Sequence, residues 1–242
     1  MILNPLMLIY NEVIYRPFLN GLILIYSFLP VHDMGLAIVI FTVLIRVLIY
    51  PLSHYSLKAQ KKMVVIQPKI KEIQEKYKDK KEEQTRRIME LYKEHKTNPF
   101  SGCVLLILQL PVFIALFQVF RYGFDVSSFS YLYSFMPHPD SINPLFLGII
   151  DVTKRNIFLS VLVGASQYVQ ALTMPQPQIG GGEQGSSFAG EFSKAMQANT
   201  KYMLPIFMAF ISFSLPSALA LYFTVSNVFV ILQQMIVNRK TQ

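Results

Sequence analysis

One arginine lies within an apolar stretch of the chain, where a charge is costly. Residues 35–52 contain a single charged side chain, Arg46, and placing an arginine near a bilayer centre costs roughly 2.5–3.5 kcal/mol on insertion scales. Thr42 and Tyr50 lie four residues before and after it, on the same face of a helix. An intramembrane cation in polar company predicts a water-filled concavity, and snorkelling of the side chain to the membrane edge is the alternative.

Amide and hydroxyl side chains in the other apolar stretches supply further polar company for Arg46. None of these stretches contains an Asp or Glu that could neutralise the arginine. For each single Gln or Ser, a hydrogen bond between helices is the simpler interpretation. The polar residues of these stretches include Gln109, Gln118, Ser166, Gln167, Gln170, Tyr222, Ser226, Asn227, Gln233 and Gln234.

The residue patterns that would indicate an enzyme are missing from the sequence. No His-Glu-x-x-His or Walker A motif occurs, and Gly164-Ala165-Ser166 is followed by Gln167-Tyr168, which breaks the nucleophile-elbow pattern. The four histidines are scattered and Cys103 is the only cysteine, so no metal-ligand cluster is expected. We therefore expect no catalytic residue, no metal and no cofactor.

The composition indicates an all-α polytopic membrane protein. Of 242 residues, 52% are hydrophobic and 15% are charged, whereas soluble domains have roughly 25% charged residues. Each helical turn of apolar chain rises about 5.4 Å, so about 20 residues cross the bilayer core. The apolar runs predict five transmembrane helices, at 35–53, 103–122, 156–173, 202–215 and, after a turn at Pro216, up to residue 237.

The distribution of basic residues predicts the orientation of these five helices. The formal net charge is +8, and 13 of the 22 Lys and Arg lie between Lys58 and Lys96. The positive-inside rule then places residues 54–102, the flexible loop 174–201 and the tail 238–242 in the cytoplasm, with the N-terminus and the loop 123–155 outside. Residues 1–34 are expected to form an outer interfacial amphipathic segment, and a short sixth span over 17–30 is the alternative.

The basic region 54–102 has the pattern of a cytoplasmic helical hairpin. Apolar residues at helical spacing form one narrow seam, the charged stretch 78–83 is the expected turn, and Pro68 is expected to kink or restart the first helix. A basic hairpin beside a bilayer attracts anionic lipid or an acidic partner. The bases that we assign to recruitment are Lys58, Lys61, Lys62, Lys69, Arg86 and Arg87.

Five motifs, in order along nearly the whole chain, resemble the YidC/Oxa/Alb membrane protein insertase family in its short bacterial form. They are Ile45-Arg46-Val-Leu-Ile-Tyr50-Pro51-Leu52, Gln67-Pro68-Lys69-Ile70, Asn98-Pro99-Phe-Ser-Gly102-Cys103, Gln109-Leu-Pro111-Val-Phe-Ile-Ala-Leu116, and Leu221-Tyr222-Phe-Thr-Val-Ser226-Asn227 with Gln233-Gln234.

The resemblance implies five helices around a hydrophilic groove that receives nascent membrane proteins and releases their helices into the bilayer without ATP. Arg46 resembles the groove arginine of the family, and Thr42, Gln109 and Tyr222 resemble its groove-lining residues. The expected groove lining consists of Arg46, Thr42, Tyr50, Gln109, Gln118, Tyr222, Ser226 and Asn227.

The expected setting is the bacterial plasma membrane, where nascent membrane proteins and lipid are the partners. The Sec translocon and the ribosome are further candidate partners, although the tail after Val237 is short for ribosome contact and no large outer domain is seen. Direct nucleic-acid recognition is not expected. Two alternatives stay open: a small transporter or channel for an anionic solute, and a chaperone that shelters helices without inserting them.

Overall fold

Helices make up nearly all of the secondary structure, which confirms the all-α fold class. The computed structural model describes residues 5–97, 101–122, 126–139, 141–174 and 199–239. In chain order these form α1 (Pro5–Tyr10), a π-helical turn (Asn11–Tyr15), α2 (Arg16–Phe28), α3 (Met34–Lys76), α4 (Lys81–Glu94), α5 (Ser101–Tyr122), a 3₁₀ helix (Val126–Tyr131), β1 (Leu145–Phe146), β2 (Ile150–Asp151), α6 (Ile157–Thr173), a second π-helical turn (Asn199–Met203), α7 (Leu204–Ser214) and α8 (Ser217–Arg239). The expected flexible loop lies outside the described residues over 175–198, as does the tail from residue 240 onward.

The helix that carries Arg46 is longer than the span expected from the sequence. α3 runs without interruption for 43 residues, which is about 65 Å at 1.5 Å per residue. It includes the expected first span and the first arm of the hairpin, and it continues through both Pro51 and Pro68. The restart expected at Pro68 does not occur, because the seam residues on either side of it, Ile66 and Ile70, are both held by packing against α4.

Two helices, α3 and α8, are long and apolar enough to cross a membrane by length and composition. Shorter apolar helices cover Gln109–Arg121, Ile157–Thr173 and Lys201–Ser214. These five helices are the ones expected from the sequence, but length and composition alone do not establish that all of them cross, so the five-span arrangement stays a prediction.

The bundle is built around α8, which packs against both α3 and α6, while α7 packs against α6. The first turns of α8 are fully buried, from Ser217 to Tyr222. Gly164 lets α6 and α7 approach closely, because a Cβ there would lie 3.2 Å from the carbonyl oxygen of Pro205. Small residues at such contacts are typical of helix packing in membranes.

Side-chain amides join α8 to its two neighbours near its C-terminal half. Gln233 hydrogen-bonds Ser53 of α3, with its Nε2 donating to the Ser53 hydroxyl at 2.8 Å. Gln234, the next residue, accepts a hydrogen bond from Thr173 of α6. Adjacent residues point to different sides of α8, so one pair of glutamines holds both helices at the same level.

The segment between α5 and α6, which we call the cap segment (129–139 and 141–152), is held by three polar side chains. Asn20 is buried and donates from Nδ2 to the Tyr131 carbonyl at 3.1 Å, while its Oδ1 accepts from the Tyr133 amide at 2.8 Å. The hydroxyl of Tyr26 accepts from the Asn143 amide at 2.8 Å. The cap segment is thereby fixed over one end of the bundle.

Asp33 is the third of these side chains, and it has two separate tasks. Its Oδ1 accepts from the Leu36 amide at 2.8 Å and caps the N-terminus of α3, while its Oδ2 accepts from the Leu147 amide at 2.6 Å. Leu147 has a positive φ of 52° at the tip of the β1–β2 hairpin. Gly35 completes the contact, because a Cβ there would collide with the side chain of Phe146.

The two tasks of Asp33 can be separated by substitution. Asp33→Asn keeps an oxygen for the Leu36 amide but loses one acceptor, whereas Asp33→Ala loses both bonds. We expect faster amide hydrogen exchange over 143–151 in both variants, and faster exchange at the start of α3 in the alanine variant alone, where loss of an N-cap costs about 1 kcal/mol. Asp79→Asn, in the exposed hairpin turn, is the control. Unchanged exchange over 143–151 in Asp33→Ala would contradict this role.

Candidate polar groove

Arg46 lies at one end of a chain of polar side chains that crosses three helices. Its Nη2 donates to Oε1 of Gln109 on α5 at 3.5 Å, which is long for a hydrogen bond. Nε2 of Gln109 in turn donates to the hydroxyl of Tyr222 on α8 at 2.6 Å. Three residues from distant parts of the sequence therefore meet at one level of the bundle.

The helices fix the direction of these side chains. In α3 each Cα–Cβ bond tilts toward the helix N-terminus, and the Arg46 side chain extends from α3 until its guanidinium meets Gln109 on α5. Thr42 lies one turn earlier on the same face, fully buried, and its hydroxyl donates to the Ile38 carbonyl at 2.6 Å. Tyr222 is 1% exposed among the buried first turns of α8, so its hydroxyl is held rigidly in place.

The charge of Arg46 has no carboxylate partner in the part of the chain that the structure describes. Arg46 is half-buried, and its Nε is shielded from solvent with no hydrogen-bond partner among the described residues. The hydroxyl of Ser226, one turn beyond Tyr222 on α8, is in the same condition. Buried polar groups are nearly always satisfied by protein or by ordered water, so we expect these two groups to meet water.

Three other residues expected in the groove are not hydrogen-bonded to Arg46, Gln109 or Tyr222 within the described part of the chain. The ring of Tyr50 stacks on His54 at 5.5 Å between centroids, and its carbonyl accepts from Gln233. Nδ2 of Asn227 donates to the Ser166 hydroxyl at 3.0 Å, which directs it toward α6. Gln118 lies nine residues beyond Gln109, about 13 Å along α5, and no hydrogen bond joins it to Arg46, Gln109 or Tyr222 among the residues described.

The chain matches a family model described as "60Kd inner membrane protein" over residues 24–242. The chain belongs to the 60Kd inner membrane protein family. This confirms the resemblance drawn from the motifs, since the match includes Arg46, Gln109 and Tyr222.

Relatives in this family carry the name "Membrane protein insertase YidC". The protein from Geobacter metallireducens is 30% identical over 93% of this chain and 36% of its own length. The one from Pelobacter propionicus is 32% identical over 94% and 39%, and the one from Francisella tularensis subsp. novicida is 35% identical over 88% and 34%. The chain thus spans well under half the length of these relatives.

The second half of α3 and the whole of α4 form the basic hairpin of this protein. Its seam contains Ile66, Ile70 and Leu91 as buried residues, with Ile73, Ile88 and Tyr92 packed against them. Burial in this seam raises the pKa of the Tyr92 hydroxyl. Six of the residues that helical spacing places in the seam are therefore in contact. Tyr77, which the same spacing places there, lies in the turn at 77–80. This turn begins one residue before the expected stretch 78–83, and α4 begins within that stretch.

The bases of the hairpin differ in how far they are engaged. Glu83 lies 2.7 Å from Arg86 and 3.0 Å from Arg87, and the hydrogen bond from Arg86 lowers the pKa of this carboxyl. Lys61 donates to the Asn238 carbonyl at 3.3 Å, and Lys69 contacts Nε2 of His95 at 3.3 Å.

By contrast, Lys58 and Lys62 are exposed, and neither forms an ion pair within the described ranges. This division is not visible in the sequence, where the bases form one continuous run.

The pH response of the hairpin follows from Glu83. Because its pKa is lowered in the folded hairpin, its contribution to stability is present above the ordinary value of 4.5 and is lost as the pH falls through the lowered value. We expect the helix content of α4 to be unchanged as the pH falls to 4.5 and to decrease only as the pH falls further, through the lowered pKa of Glu83. Circular dichroism of the protein and of Glu83→Gln checks this, and an identical acid transition in the two would contradict it.

Water around Arg46 can be tested with two neighbouring residues of α5. Gln109 faces Arg46, whereas Leu110 is 60% exposed on the outside of the bundle. In a Cys103→Ser background, we expect Gln109→Cys to react at least about tenfold faster than Leu110→Cys with a water-soluble thiol reagent in membranes, because only a hydrated thiol ionises readily. Equal rates in the two variants would contradict a hydrated site.

Proposed function

We propose that the protein is a membrane protein insertase that receives nascent membrane proteins in a hydrated groove at Arg46 and releases their helices into the bilayer. The observation that carries this proposal is the Arg46–Gln109–Tyr222 chain in a member of a family whose relatives are named membrane protein insertases. The activity is non-enzymatic: the protein lowers a transfer barrier and makes or breaks no covalent bond.

The physical task of the groove is to reduce desolvation of the polar segment that must cross. Transfer of a polar group to hydrocarbon without a hydrogen bond costs roughly 2–7 kcal/mol. A site with an uncompensated cation, an amide and a hydroxyl replaces part of that hydration. The acidic segment of a nascent chain gains most, because it also meets the charge of Arg46.

Release of the substrate needs no ATP in this scheme. A central Leu, Ile, Phe or Val contributes about −0.3 to −0.6 kcal/mol to helix insertion, so an apolar substrate helix moves spontaneously from the groove to the lipid. The groove then has to lower the transfer barrier only for the polar segment beside the substrate helix.

The position of the Arg46 side chain favours the groove over snorkelling. A snorkelling arginine extends toward the nearest membrane edge, which for residue 46 is the hairpin end of α3. Its guanidinium instead meets the side-chain amide of Gln109 on a neighbouring helix of the bundle. The residues that we assign to the groove are Arg46, Thr42, Gln109, Tyr222 and Ser226, with Tyr50, Gln118 and Asn227 at its margins.

The proposed topology has five spans, with the N-terminus outside and the C-terminus in the cytoplasm of a bacterium. In this arrangement the hairpin of α3 and α4 projects into the cytoplasm, where it recruits substrates or anionic lipid through its bases. Nascent membrane proteins and the lipid bilayer are the proposed partners, and the Sec translocon and the ribosome are the proposed sources of substrate.

The decisive experiment couples the charge of Arg46 to the charge of the substrate. In proteoliposomes, we expect the protein to insert a single-span substrate with an acidic outer tail about tenfold better than one with the acids changed to amides, since a charge-assisted contact contributes roughly 1.5–3 kcal/mol. Arg46→Gln should abolish this difference and Arg46→Lys should keep most of it. Arg239→Gln, at the far end of α8, is the control. A tail-charge preference that survives Arg46→Gln would refute electrostatic capture.

A second test compares the hairpin bases that form an ion pair with those that form none among the described residues. We expect Lys58→Gln with Lys62→Gln to weaken crosslinking of the hairpin to stalled nascent chains severalfold, because these two charges are not already paired. Arg86→Gln with Arg87→Gln removes the same charge from residues bound to Glu83, so it should have the smaller effect. A larger loss in the arginine pair would contradict the assignment.

A further inference from the structure

We propose that a pocket at the opposite end of the bundle from the hairpin binds the phosphate of an anionic phospholipid. The pocket has a volume of about 260 Å³ and lies where α5 ends, α6 begins and α7 turns into α8. Its lining residues are Phe117, Arg121, Thr153, Arg155, Ser214, Leu215 and Pro216.

Two guanidinium groups give this pocket its chemistry. Arg121 lies in the last turn of α5 and Arg155 precedes α6, and the described residues that line the pocket include no carboxylate. The guanidinium carbon of Arg121 lies 5.6 Å from the ring centroid of Phe117, another lining residue, which holds it against the pocket wall. Guanidinium groups bind phosphate through paired N–H donors.

The neighbouring acid is already engaged with other partners. Asp151 accepts from the Thr153 hydroxyl at 2.6 Å and pairs with Lys154 at 3.0 Å. Desolvation alone would raise the pKa of Asp151, but the hydrogen bonds from Thr153 and Lys154 outweigh it and lower the pKa. The carboxylate thus stays charged and bound to Lys154, and it does not line the pocket with Arg155.

The clustering of these bases is unusual for this end of the molecule. In the proposed topology the outer side carries four basic residues, which are Arg16, Arg121, Lys154 and Arg155. Arg16 is held by Glu12 at 2.7 Å and by the Tyr131 carbonyl at 3.2 Å. The two other arginines of a side that is poor in bases therefore meet at one pocket.

The surroundings of the pocket favour a lipid over a soluble ligand. Phe117, Leu215 and Pro216 form apolar walls, and Phe210 and Phe213, on the adjoining turns of α7, are 70% and 43% exposed. An apolar surface that leads away from a phosphate site along a membrane helix suits acyl chains. A soluble phosphate would gain nothing from it.

The quenching measurement reports lipid selectivity at the pocket and needs no insertion activity, so its result is independent of the proposed function. The chain has no Trp, so Phe213→Trp supplies a single fluorophore beside the pocket. Phe207→Trp supplies a matched probe on the same helix, at a side chain that is 56% exposed. Each variant is quenched with brominated phosphatidylglycerol or brominated phosphatidylcholine in vesicles of the two lipids.

We expect phosphatidylglycerol to be preferred in the Phe213→Trp variant by about fivefold per guanidinium, with little preference in the Phe207→Trp variant. Adding Arg121→Gln with Arg155→Gln to the Phe213→Trp variant should remove the preference, while adding Lys93→Gln with Arg239→Gln, which removes two charges elsewhere, should keep it. Equal quenching of Phe213→Trp by the two lipids, or a preference that survives the double glutamine change at the pocket, would overturn the proposal.

Three further arms distinguish a phospholipid phosphate site from a diffuse surface potential, a soluble phosphate site and a nascent-chain site. Arg121→Lys with Arg155→Lys should keep only part of the preference, and full retention would indicate a diffuse surface potential and overturn the phosphate site. Sodium phosphate in place of chloride at equal ionic strength should leave the preference intact, and its loss would assign the pocket to soluble phosphate. The last arm measures insertion of acidic-tail substrates in pure phosphatidylcholine. If the double glutamine variant inserts them less well, and the Phe213→Trp variant shows no lipid preference, the pocket would be assigned to the nascent chain.

Discussion

The uncompensated charge of Arg46 is the constraint on which the rest of the proposed groove depends. A cation in the apolar part of a bundle needs donors, acceptors or water around it, and no carboxylate meets this one among the described residues. Gln109 supplies an amide oxygen to Arg46, and the amide nitrogen of Gln109 donates to the hydroxyl of Tyr222. An ion pair would neutralise the site and leave it closed to an acidic substrate, whereas a neutral polar chain holds the guanidinium in position and leaves its charge available.

This arrangement requires that α3, α5 and α8 keep their relative depth, and other parts of the fold serve that end. Ser53 and Gln233 fix α3 against α8, and Thr173 and Gln234 fix α6 at the same level. At the other end, carbonyl oxygens of Val152 and Lys154 accept from the amides of Ala218 and Ser217, so the cap segment and the residues that follow it satisfy the first turn of α8. The polar contacts that hold these helices together therefore lie above and below Arg46, and Gln109 and Tyr222 are the polar side chains bonded at its own level.

Sequence reasoning reached the helical class and most of the seam of the hairpin, because each depends on local spacing, and it singled out Arg46 from the cost of burying charge. It could not order the polar residues around the arginine. Tyr50 shares a helix face with Arg46, yet its ring turns to His54, and Asn227 faces Ser166. Which amide meets which hydroxyl depends on the rotation and depth of separate helices. The roles of Asp33 and Gly35 depend on a β-hairpin more than a hundred residues away, which no local pattern indicates.

The unbroken course of α3 has a mechanical consequence. The same rigid rod carries Arg46 and the first arm of the basic hairpin, and about 45 Å of helix separates the arginine from Lys76. Its N-terminal end is held by Asp33 and its middle by Gln233. A lateral load on the hairpin, such as a docking chain, therefore displaces the tip of the hairpin most and the stretch between these two contacts least, and Arg46 lies in that stretch.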